Sequence, residues 1–196
     1  MSPQFLTIAY YTEGNKYQQL SENLKISTEN LAIPLYIKQI PNLGSWEKNT
    51  HYKANFIQEC LGKFSENLLY VDVDAIFRSY PELINSLDCD IAYRTENFKW
   101  RKNEALSGTI FLNNNEITKE FVNKWIELNE KTPAERHKPE TWEQANMQRA
   151  MDLIPGLIYS NLPPEYTYIF DHTKRMYPNI EPVIEHFQAS RKVWYI

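Results

Sequence analysis

The stretch N-L-L-Y-V-D-V-D-A-I-F, residues Asn67 to Phe77, places two carboxylates directly behind a run of large apolar side chains. Residues 68–71 have the character of a buried strand. An ionised carboxylate is costly in a low dielectric unless it is paired or bound to a metal, so we expect Asp72 and Asp74 where this strand leaves the sheet. In an open α/β sheet, ligands bind at that edge. Two acids one residue apart can face one hard cation, although the pattern also fits an acidic strand end without a ligand.

The composition is typical of a globular chain. Its 196 residues include 42% hydrophobic and 23% charged side chains, and the formal net charge is -4. This length suffices for one domain with a sizeable core, and we expect a single compact domain over residues 1–196. The negative charge predicts no general attraction to nucleic acid or to an anionic membrane. The 13 Tyr, 9 Phe and 5 Trp suit core packing and also a site that stacks on a base or a sugar ring.

The cysteines and the apolar runs indicate a cellular location. Cys60 and Cys89 match no metal-ligand spacing, and two cysteines in a chain of this size indicate buried free thiols in a reducing compartment. The apolar run near the N-terminus has no basic region before it, and no later stretch is long enough to span a bilayer. The sequence therefore predicts a cytoplasmic protein without a signal sequence or a transmembrane segment.

The predicted elements alternate up to the acidic pair in the order strand, helix, strand, helix, strand, which is typical of a parallel α/β sheet. We expect strands at residues 5–11, 35–40, 68–71, 90–93, 106–113, 157–162 and 183–187. We expect one or two helical turns within residues 16–31, and helices at 51–64, 80–87, 118–131 and 141–153, the last with Thr141 as its N-cap. The polar segment 97–104 predicts a loop over the site.

Two later segments carry candidate site residues. His186, in I-E-H-F-Q-A-S-R-K, could bind a metal, and Arg191 and Lys192 behind it could bind a phosphate. A diphosphate leaving group would need both a metal ion and positively charged side chains. A lone His is more often structural, and terminal cations are often only solvated. The segment S-G-T opens a predicted strand, where Gly108 allows close approach of a ligand and hydroxyls such as that of Ser107 can bond sugar oxygens.

Two predicted helices add further candidates. Glu143 and Gln144 open a helix and could aim polar groups into a cleft, although an acid in the first turn also complements the helix dipole. Lys53 lies on the helix before the acidic strand. It could reach a nucleotide or a phosphate, although the surface is the more common place for a lysine.

Taken in this order, the motifs resemble those of a known enzyme family. L-L-Y-V-D-V-D-A, S-G-T-I-F-L-N, W-E-Q and H-F-Q-A-S-R-K are similar to motifs of the GT-A fold glycosyltransferases, the metal-dependent class with an Asp-x-Asp motif and nucleotide-sugar donors. The resemblance covers residues 7–194 and is to the retaining, glycogenin-like and galactosyltransferase-like members. It implies an α/β fold whose central sheet is mixed, mostly parallel and flanked by helices. It also implies transfer of a sugar, with retention, from a nucleoside-diphosphate sugar to a glycan, protein or small-molecule acceptor.

The resemblance assigns the proposed metal and phosphate ligands. Asp72 would contact the ribose, or the metal through water, and Asp74 would bind Mn²⁺ or Mg²⁺ directly. His186 is similar to a metal-binding histidine of that family. Lys192 would contact the phosphates, in K-V-W where the family has K-P-W.

The resemblance also implies which residues bind the donor. The end of the first strand, at Tyr10, Tyr11 and Thr12, would hold the nucleobase, and Ser107 and Gly108 would contact the donor sugar.

Glu143 and Gln144 are similar to the Asp-Gln of the family's D-Q-D motif, which lines the donor sugar, whereas Ala145 replaces its second Asp. In a retaining reaction Gln144 could lie under the anomeric carbon. An inverting reaction would need a side-chain base near the acceptor, for which Glu143 and Asp171 are the candidates.

Two other functions remain compatible with the sequence. A haloacid-dehalogenase-like phosphatase also has Asp-x-Asp behind an apolar run, but on its first strand and with Thr or Val where Ile76 stands here. A catalytically weak module that binds a nucleotide sugar or a glycan is the other alternative, because the chain is short and Ala145 departs from the family motif.

Overall fold

Two β-sheets form the centre of the computed structural model, which describes residues 4–98, 101–132, 135 and 138–189. Strands β1 to β9 are Phe5–Thr12, Leu35–Ile40, Asn67–Val71, Ala75–Phe77, Ile91–Phe98, Arg101–Leu112, Tyr159–Asn161, Tyr168–Ile169 and Ile184–His186. Helices α1 to α5 are Asn15–Asn30, Trp46–Lys63, Glu116–Lys131, Glu143–Asp152 and His172–Met176. Short 3-10 helices are found at Glu82–Ser86, Pro139–Thr141 and Pro164–Thr167.

The larger sheet is mixed. It has six strands in the order β2-β1-β3-β6-β5-β7, and the smaller sheet has the order β4-β9-β8. In the larger sheet β1 is parallel to β2 and β3, and β5 is parallel to β7, whereas β6 is antiparallel to both of its neighbours. Helices α1 and α2 connect the three parallel strands at the start of the chain, since parallel neighbours need long crossovers. The predicted class, an α/β fold with a mostly parallel sheet flanked by helices, is confirmed.

The strand β3 is apolar on both faces because both faces of the sheet are covered. Leu68 and Tyr70 pack into a core with α2, α3 and α4, whereas Leu69 packs into a second core with α1 and the smaller sheet. All three side chains are at most 1% exposed. Side chains alternate between the two faces of a strand, so a doubly covered strand is apolar at every position.

The acidic pair lies where the chain passes from the larger to the smaller sheet. The Asp72 N–H donates to the Gly108 carbonyl oxygen at 2.9 Å, and the Ala75 N–H donates to the Asp72 carbonyl oxygen at 2.9 Å. Strand β4 then pairs antiparallel with β9, with Ala75 opposite His186. The expected position of the two acids, at the end of a buried strand, is confirmed.

Helices α1 and α2 are both longer than the sequence predicts. Helix α1 is one continuous helix of 16 residues rather than one or two turns. Its buried Ser27 and Thr28 both donate hydroxyl protons to the Leu24 carbonyl oxygen, so these polar side chains can face the core without an unpaired donor. Helix α2 starts five residues early because Ser45 caps it, accepting the Lys48 N–H at 3.2 Å.

The predicted loop at 97–104 is wrong. Strands β5 and β6 continue through the described part of this segment as a two-stranded ribbon, with Glu96 opposite Glu104 and Phe98 opposite Arg101. The two backbones pair with each other, so this ribbon needs no apolar run to form, and hydrophobic periodicity does not report it.

The predicted N-cap of α4 is also wrong. Thr141 ends a 3-10 helix, and its hydroxyl donates to the Lys138 carbonyl oxygen at 2.7 Å. Helix α4 begins at Glu143, and Trp142 at its N-cap makes no side-chain cap bond.

The cysteines are free and buried, as predicted. Burial raises the pKa of the Cys60 thiol to about 12. Within the described residues, no helix is both long and apolar enough to cross a membrane.

Ser27 connects α1 to the strand that follows the acids, and its loss should destabilise the fold. The Arg78 N–H donates to the Val183 carbonyl oxygen, and the Phe187 N–H donates to the Asp74 carbonyl oxygen. Since successive N–H groups of a strand point to opposite sides, the Phe77 N–H points away from β9. It donates to Ser27 Oγ at 3.2 Å. We expect Ser27→Ala to lower the free energy of unfolding by about 1–3 kcal/mol, because it leaves this buried N–H unpaired.

Urea denaturation measures this loss. Ser86→Ala is the matched control, because Ser86 Oγ also donates to the carbonyl three residues earlier but is exposed. The control should change the free energy of unfolding by no more than about 0.5 kcal/mol. Equal effects of the two substitutions would contradict the assigned role of Ser27.

Candidate active site

Three potential metal ligands converge beyond the end of β3. One ligand atom from each of Asp72, Asp74 and His186 lies within 4.8 Å of the other two. His186 Nδ1 is 3.7 Å from Asp74 Oδ1. The structure therefore brings together the acidic pair and a histidine that is far away in the sequence, as the proposed metal site requires.

The Asp74 carboxylate is held in its charged form. Its Oδ2 accepts the Ala189 N–H at 2.7 Å, and Lys53 adds a positive charge nearby. Burial raises the pKa of Asp74, but His186, the Ala189 N–H and Lys53 together lower it further, so the pKa lies below its usual value. Asp74 is therefore an ionised ligand at neutral pH.

The His186 ring is fixed by the neighbouring strand β6. The ring is 2% exposed, and its Nε2 lies 2.8 Å from Thr109 Oγ1. With a cation bound, Nε2–H would donate to Thr109 Oγ1 and the lone pair of Nδ1 would face the cation, whereas without one Nδ1–H can donate toward Asp74. The Thr109 hydroxyl thus orients the imidazole of His186.

A gap between Asp72 and His186 exists because residue 108 has no side chain. A Cβ on Gly108 would lie 3.4 Å from both Asp72 Oδ2 and His186 Nδ1, and 3.3 Å from His186 Cε1. The φ of Gly108 is not in the left-handed region, so the space rather than the backbone requires glycine here. Two carboxylates and an imidazole around such a gap fit a divalent cation such as Mn²⁺ or Mg²⁺.

Lys53 is buried beside these ligands rather than on the surface. Its side chain is 3% exposed, and Nζ donates to Ser107 O at 3.0 Å, Ser107 Oγ at 3.0 Å and Glu143 Oε1 at 2.9 Å. Nζ also lies 3.2 Å from Asp72 Oδ1. Burial lowers the pKa of Lys53, but Asp72 and Glu143 raise it more, so this pKa lies above its usual value and Lys53 stays a cation.

The Asp72 carboxylate is bound differently at its two oxygens. Oδ1 accepts the Tyr70 hydroxyl proton at 2.7 Å, and the Tyr70 ring lies 5.1 Å from Lys53 Nζ. Burial and the Asp72 charge raise the pKa of Tyr70 well above its usual value, so the hydroxyl remains a donor. Oδ2 faces the gap at Gly108. Sequence reasoning did not identify Tyr70 as a site residue, although it lies two residues before Asp72 and residues two apart on a strand share a face.

Glu143 and Gln144 reach the site from the start of α4. Glu143 is 6% exposed, and its Oε1 also accepts the Ser107 hydroxyl proton at 2.7 Å. Gln144 Oε1 accepts the Ser107 N–H at 3.3 Å, and its Nε2 donates to Glu104 Oε1 at 2.5 Å. Sequence reasoning missed Glu104, which lay in the predicted loop and gave no periodic signal. The buried Trp125 Nε1 donates to the Glu143 carbonyl oxygen at 2.8 Å and fixes the start of the helix.

The three residues proposed for the nucleobase differ in exposure. Tyr10 packs its ring against Tyr52, Phe56 and Tyr70, and its hydroxyl donates to the Asn49 carbonyl oxygen at 2.7 Å. Tyr10 therefore has its ring in the core. Tyr11 is half-buried, and Thr12 is buried.

A further tyrosine lies near the acids. Tyr17, on α1, has a pKa raised by burial and by the charges of Asp74 and Asp72. No local sequence pattern points to Tyr17 as a site residue, because its proximity to the two acids arises only in the folded chain.

The remaining candidates lie after β8. Asp171 Oδ1 accepts the His172 N–H at 2.7 Å at the start of α5. Asp171 also lines an open cavity of about 600 Å³, together with Phe170, Lys174, Arg175 and Phe187. Arg191 and Lys192 lie outside the described residues.

No protein-family model matches this chain, and no curated protein matches it. Solved structures do resemble it. A glycosyltransferase involved in the glycosylation of the major capsid of PBCV-1 matches with a TM-score of 0.68 and 18% identity, over 95% of this chain and 93% of that one. The glycosyltransferase GlyE of Streptococcus pneumoniae TIGR4 matches with a TM-score of 0.65 and 16% identity, over 93% of this chain and 54% of that one.

The bifunctional glycosyltransferase WbbM has a similar fold, with a TM-score of 0.59, 10% identity and coverage of 96% of this chain and 46% of that one. This chain thus spans about half of GlyE and of WbbM. At such low identities the likeness shows the fold, and this chain has the fold of these glycosyltransferases.

The gap at Gly108 predicts an effect of adding one methyl group. We expect Gly108→Ala to weaken Mn²⁺ binding by about tenfold or more, because the new Cβ pushes Asp72 Oδ2 and His186 Nδ1 apart. Electron paramagnetic resonance of free Mn²⁺ during a titration measures the affinity.

Gly62→Ala is the control, because nothing lies within 4 Å of a Cβ at that helical position. It should leave Mn²⁺ binding unchanged and stabilise the helix slightly. Wild-type Mn²⁺ affinity in a folded Gly108→Ala protein would show that the gap does not hold the cation.

Proposed function

We propose that this protein transfers a sugar from a nucleoside-diphosphate sugar to a glycan, protein or small-molecule acceptor, with the help of Mn²⁺ or Mg²⁺. The observation that carries the proposal is the convergence of Asp72, Asp74 and His186, two of which, Asp72 and His186, also border the gap at Gly108. Its place supports the proposal as well, since the site lies at the end of a central strand in a glycosyltransferase fold.

The proposed ligands are Asp74 and His186 directly, with Asp72 bound through water or to the ribose. When bound, the cation would neutralise the charge that develops on the departing diphosphate. Asp74 is ionised before any cation binds, and Thr109 can hold the proton of His186 on Nε2. The protein therefore orients its own ligands in advance, and little rearrangement opposes binding of the cation.

The donor would lie along the edge formed by Tyr10, Tyr11 and Thr12, where we propose contact with the nucleobase. Lys192 is proposed to contact the phosphates. Lys53 would stabilise the site by its charge without contacting the donor, since its ammonium group already bonds protein atoms.

The donor sugar is proposed to contact Ser107, Gly108, Glu143 and Gln144. Glu143 Oε2 is buried and has no hydrogen-bond partner among the described residues, so a sugar hydroxyl would satisfy it. Glu104 and Ser107 both hydrogen-bond the Gln144 side-chain amide, which fixes the orientation of this amide.

Retention of configuration is part of the proposal. Glu143 Oε1 already accepts hydrogen bonds from Lys53 and Ser107, and its Oε2 is proposed to bind a hydroxyl of the donor sugar, so both oxygens are assigned to groups other than the acceptor. The departing phosphate can take the acceptor proton instead, with Gln144 under the anomeric carbon. Asp171 would be the remaining base for an inverting reaction.

We also propose that the described residues form one catalytic domain, because both cores pack on the same six-stranded sheet. A second candidate function is a catalytically weak module that binds a nucleotide sugar or a glycan. Ala145, which carries no polar group where the family motif has an acid, favours it.

Metal-dependent turnover tests the proposed function. A thermal-shift panel of nucleoside diphosphates and nucleotide sugars with Mn²⁺ identifies the donor, since a ligand that binds only the folded state raises the melting temperature. Hydrolysis of that donor is then measured with Mn²⁺ and with EDTA. We expect Asp74→Ala to lower the Mn²⁺-dependent rate by about 100-fold or more, because a direct ligand is lost.

Asp88→Ala, which removes an exposed acid, is the control and should keep the wild-type rate. Undiminished metal-dependent turnover in Asp74→Ala would refute the metal site. Binding of the donor without turnover would favour the binding module, and turnover of p-nitrophenyl phosphate would favour a phosphatase.

A further inference from the structure

We infer that Glu143, through its Oε1, is a positioning residue that neutralises Lys53 and thereby keeps the Asp72 carboxylate open for a divalent cation. The inference rests on the proposed function, because it assumes that a cation binds at Asp74 and His186 and that Asp72 holds it through a water molecule.

The hydrogen bonds of Lys53 are the first part of the argument. An ammonium group has three N–H donors, and those of Lys53 bond Ser107 O, Ser107 Oγ and Glu143 Oε1 at 2.9–3.0 Å. The contact with Asp72 Oδ1, at 3.2 Å, is longer than each of these. Lys53 therefore bonds β6 and α4 at the shortest distances, and its contact with Asp72 Oδ1 is the longest of the four.

The balance of charge is the second part. Lys53 and Glu143 are both buried, with side chains 3% and 7% exposed, so their charges are poorly screened by water. Together they cancel. The charges of Asp72 and Asp74 then remain, which is the charge that a divalent cation balances. Without Glu143, Lys53 would be balanced by Asp72 and would compete with the cation for the same carboxylate.

The position of Glu143 is the third part. It is the first residue of α4, and its carbonyl oxygen is held by Trp125 Nε1 in the core. Its Oε1 is shared between Lys53 and the Ser107 hydroxyl, at 2.9 and 2.7 Å. Lys53 contacts both Glu143 and Asp72, so Glu143 can act on Asp72 through Lys53.

Mn²⁺ binding without any nucleotide tests this inference, since the measurement does not depend on turnover. Glu143→Gln keeps the shape of the side chain and removes its charge. We expect it to weaken Mn²⁺ binding by about tenfold or more, as the charge of a buried lysine next to the cation is no longer compensated. Glu143→Asp keeps the charge and should bind Mn²⁺ more tightly than Glu143→Gln.

A double variant separates charge balance from a merely structural role. Lys53→Met together with Glu143→Gln removes both charges, and we expect it to bind Mn²⁺ within about threefold of the wild type. A structural role would make the double variant weaker than either single one. Glu140→Gln, which removes an exposed acid three residues earlier, is the control and should bind as the wild type does.

The outcomes separate this inference from the proposed function. Wild-type affinity in Glu143→Gln, or equal weakening in Glu143→Asp and Glu143→Gln, overturns the charge balance and leaves the metal site standing. A wild-type protein that binds no Mn²⁺, alone or with a nucleoside diphosphate, overturns the proposed function and this inference with it. The charge-retaining aspartate variant decides the question even if the double variant does not fold.

Discussion

The ammonium group of Lys53, buried beneath the acidic edge, is the interaction on which the site depends. A buried carboxylate such as that of Glu143 is costly unless a positive charge accompanies it. Lys53 supplies that charge from α2, and it also contacts Ser107 on β6 and Asp72 beyond β3. One side chain therefore links the helical layer, the central sheet and the acidic edge. The carbonyl and hydroxyl oxygens of Ser107 and the Glu143 carboxylate accept hydrogen bonds from its ammonium group, which fixes its position.

The second constraint is the change of sheet at the acidic pair. Strand β3 ends beside Gly108, and the chain turns at once into β4 of the smaller sheet. Because β4 pairs with β9, the register that sets Ala75 opposite His186 also sets the imidazole beside the two carboxylates. The proposed ligands thus belong to a junction between two sheets. Asp74 is bonded to the chain that follows β9, whereas Asp72 is bonded to Gly108 of the larger sheet, so a shift of one sheet on the other would separate Asp72 from Asp74 and His186.

The fold and the chemistry rest on different kinds of observation. The likeness to glycosyltransferases concerns the backbone, and many functions can share one backbone. The proposed reaction instead depends on a few side chains whose contacts agree with one another. An ionised Asp74, a histidine with a fixed ring and a glycine that leaves a gap all favour a cation at one position. Glu143 Oε2, which has no hydrogen-bond partner within the described part of the chain, adds a place for a hydroxyl group of a ligand.

The sequence by itself determined the elements whose patterns are local. The strand Leu35–Ile40, the central strand and the acids at its end follow from apolar runs and alternation, and the resemblance placed His186 with them. Other features depended on distant partners. The ribbon of β5 and β6 forms because two polar backbones pair with each other, and Lys53 is buried because acids from other elements surround it. The gap at Gly108 likewise exists only between a strand end and a histidine far along the chain. Hydrophobic periodicity records which face of an element is buried, whereas the tertiary structure alone decides which charges and hydroxyls meet there.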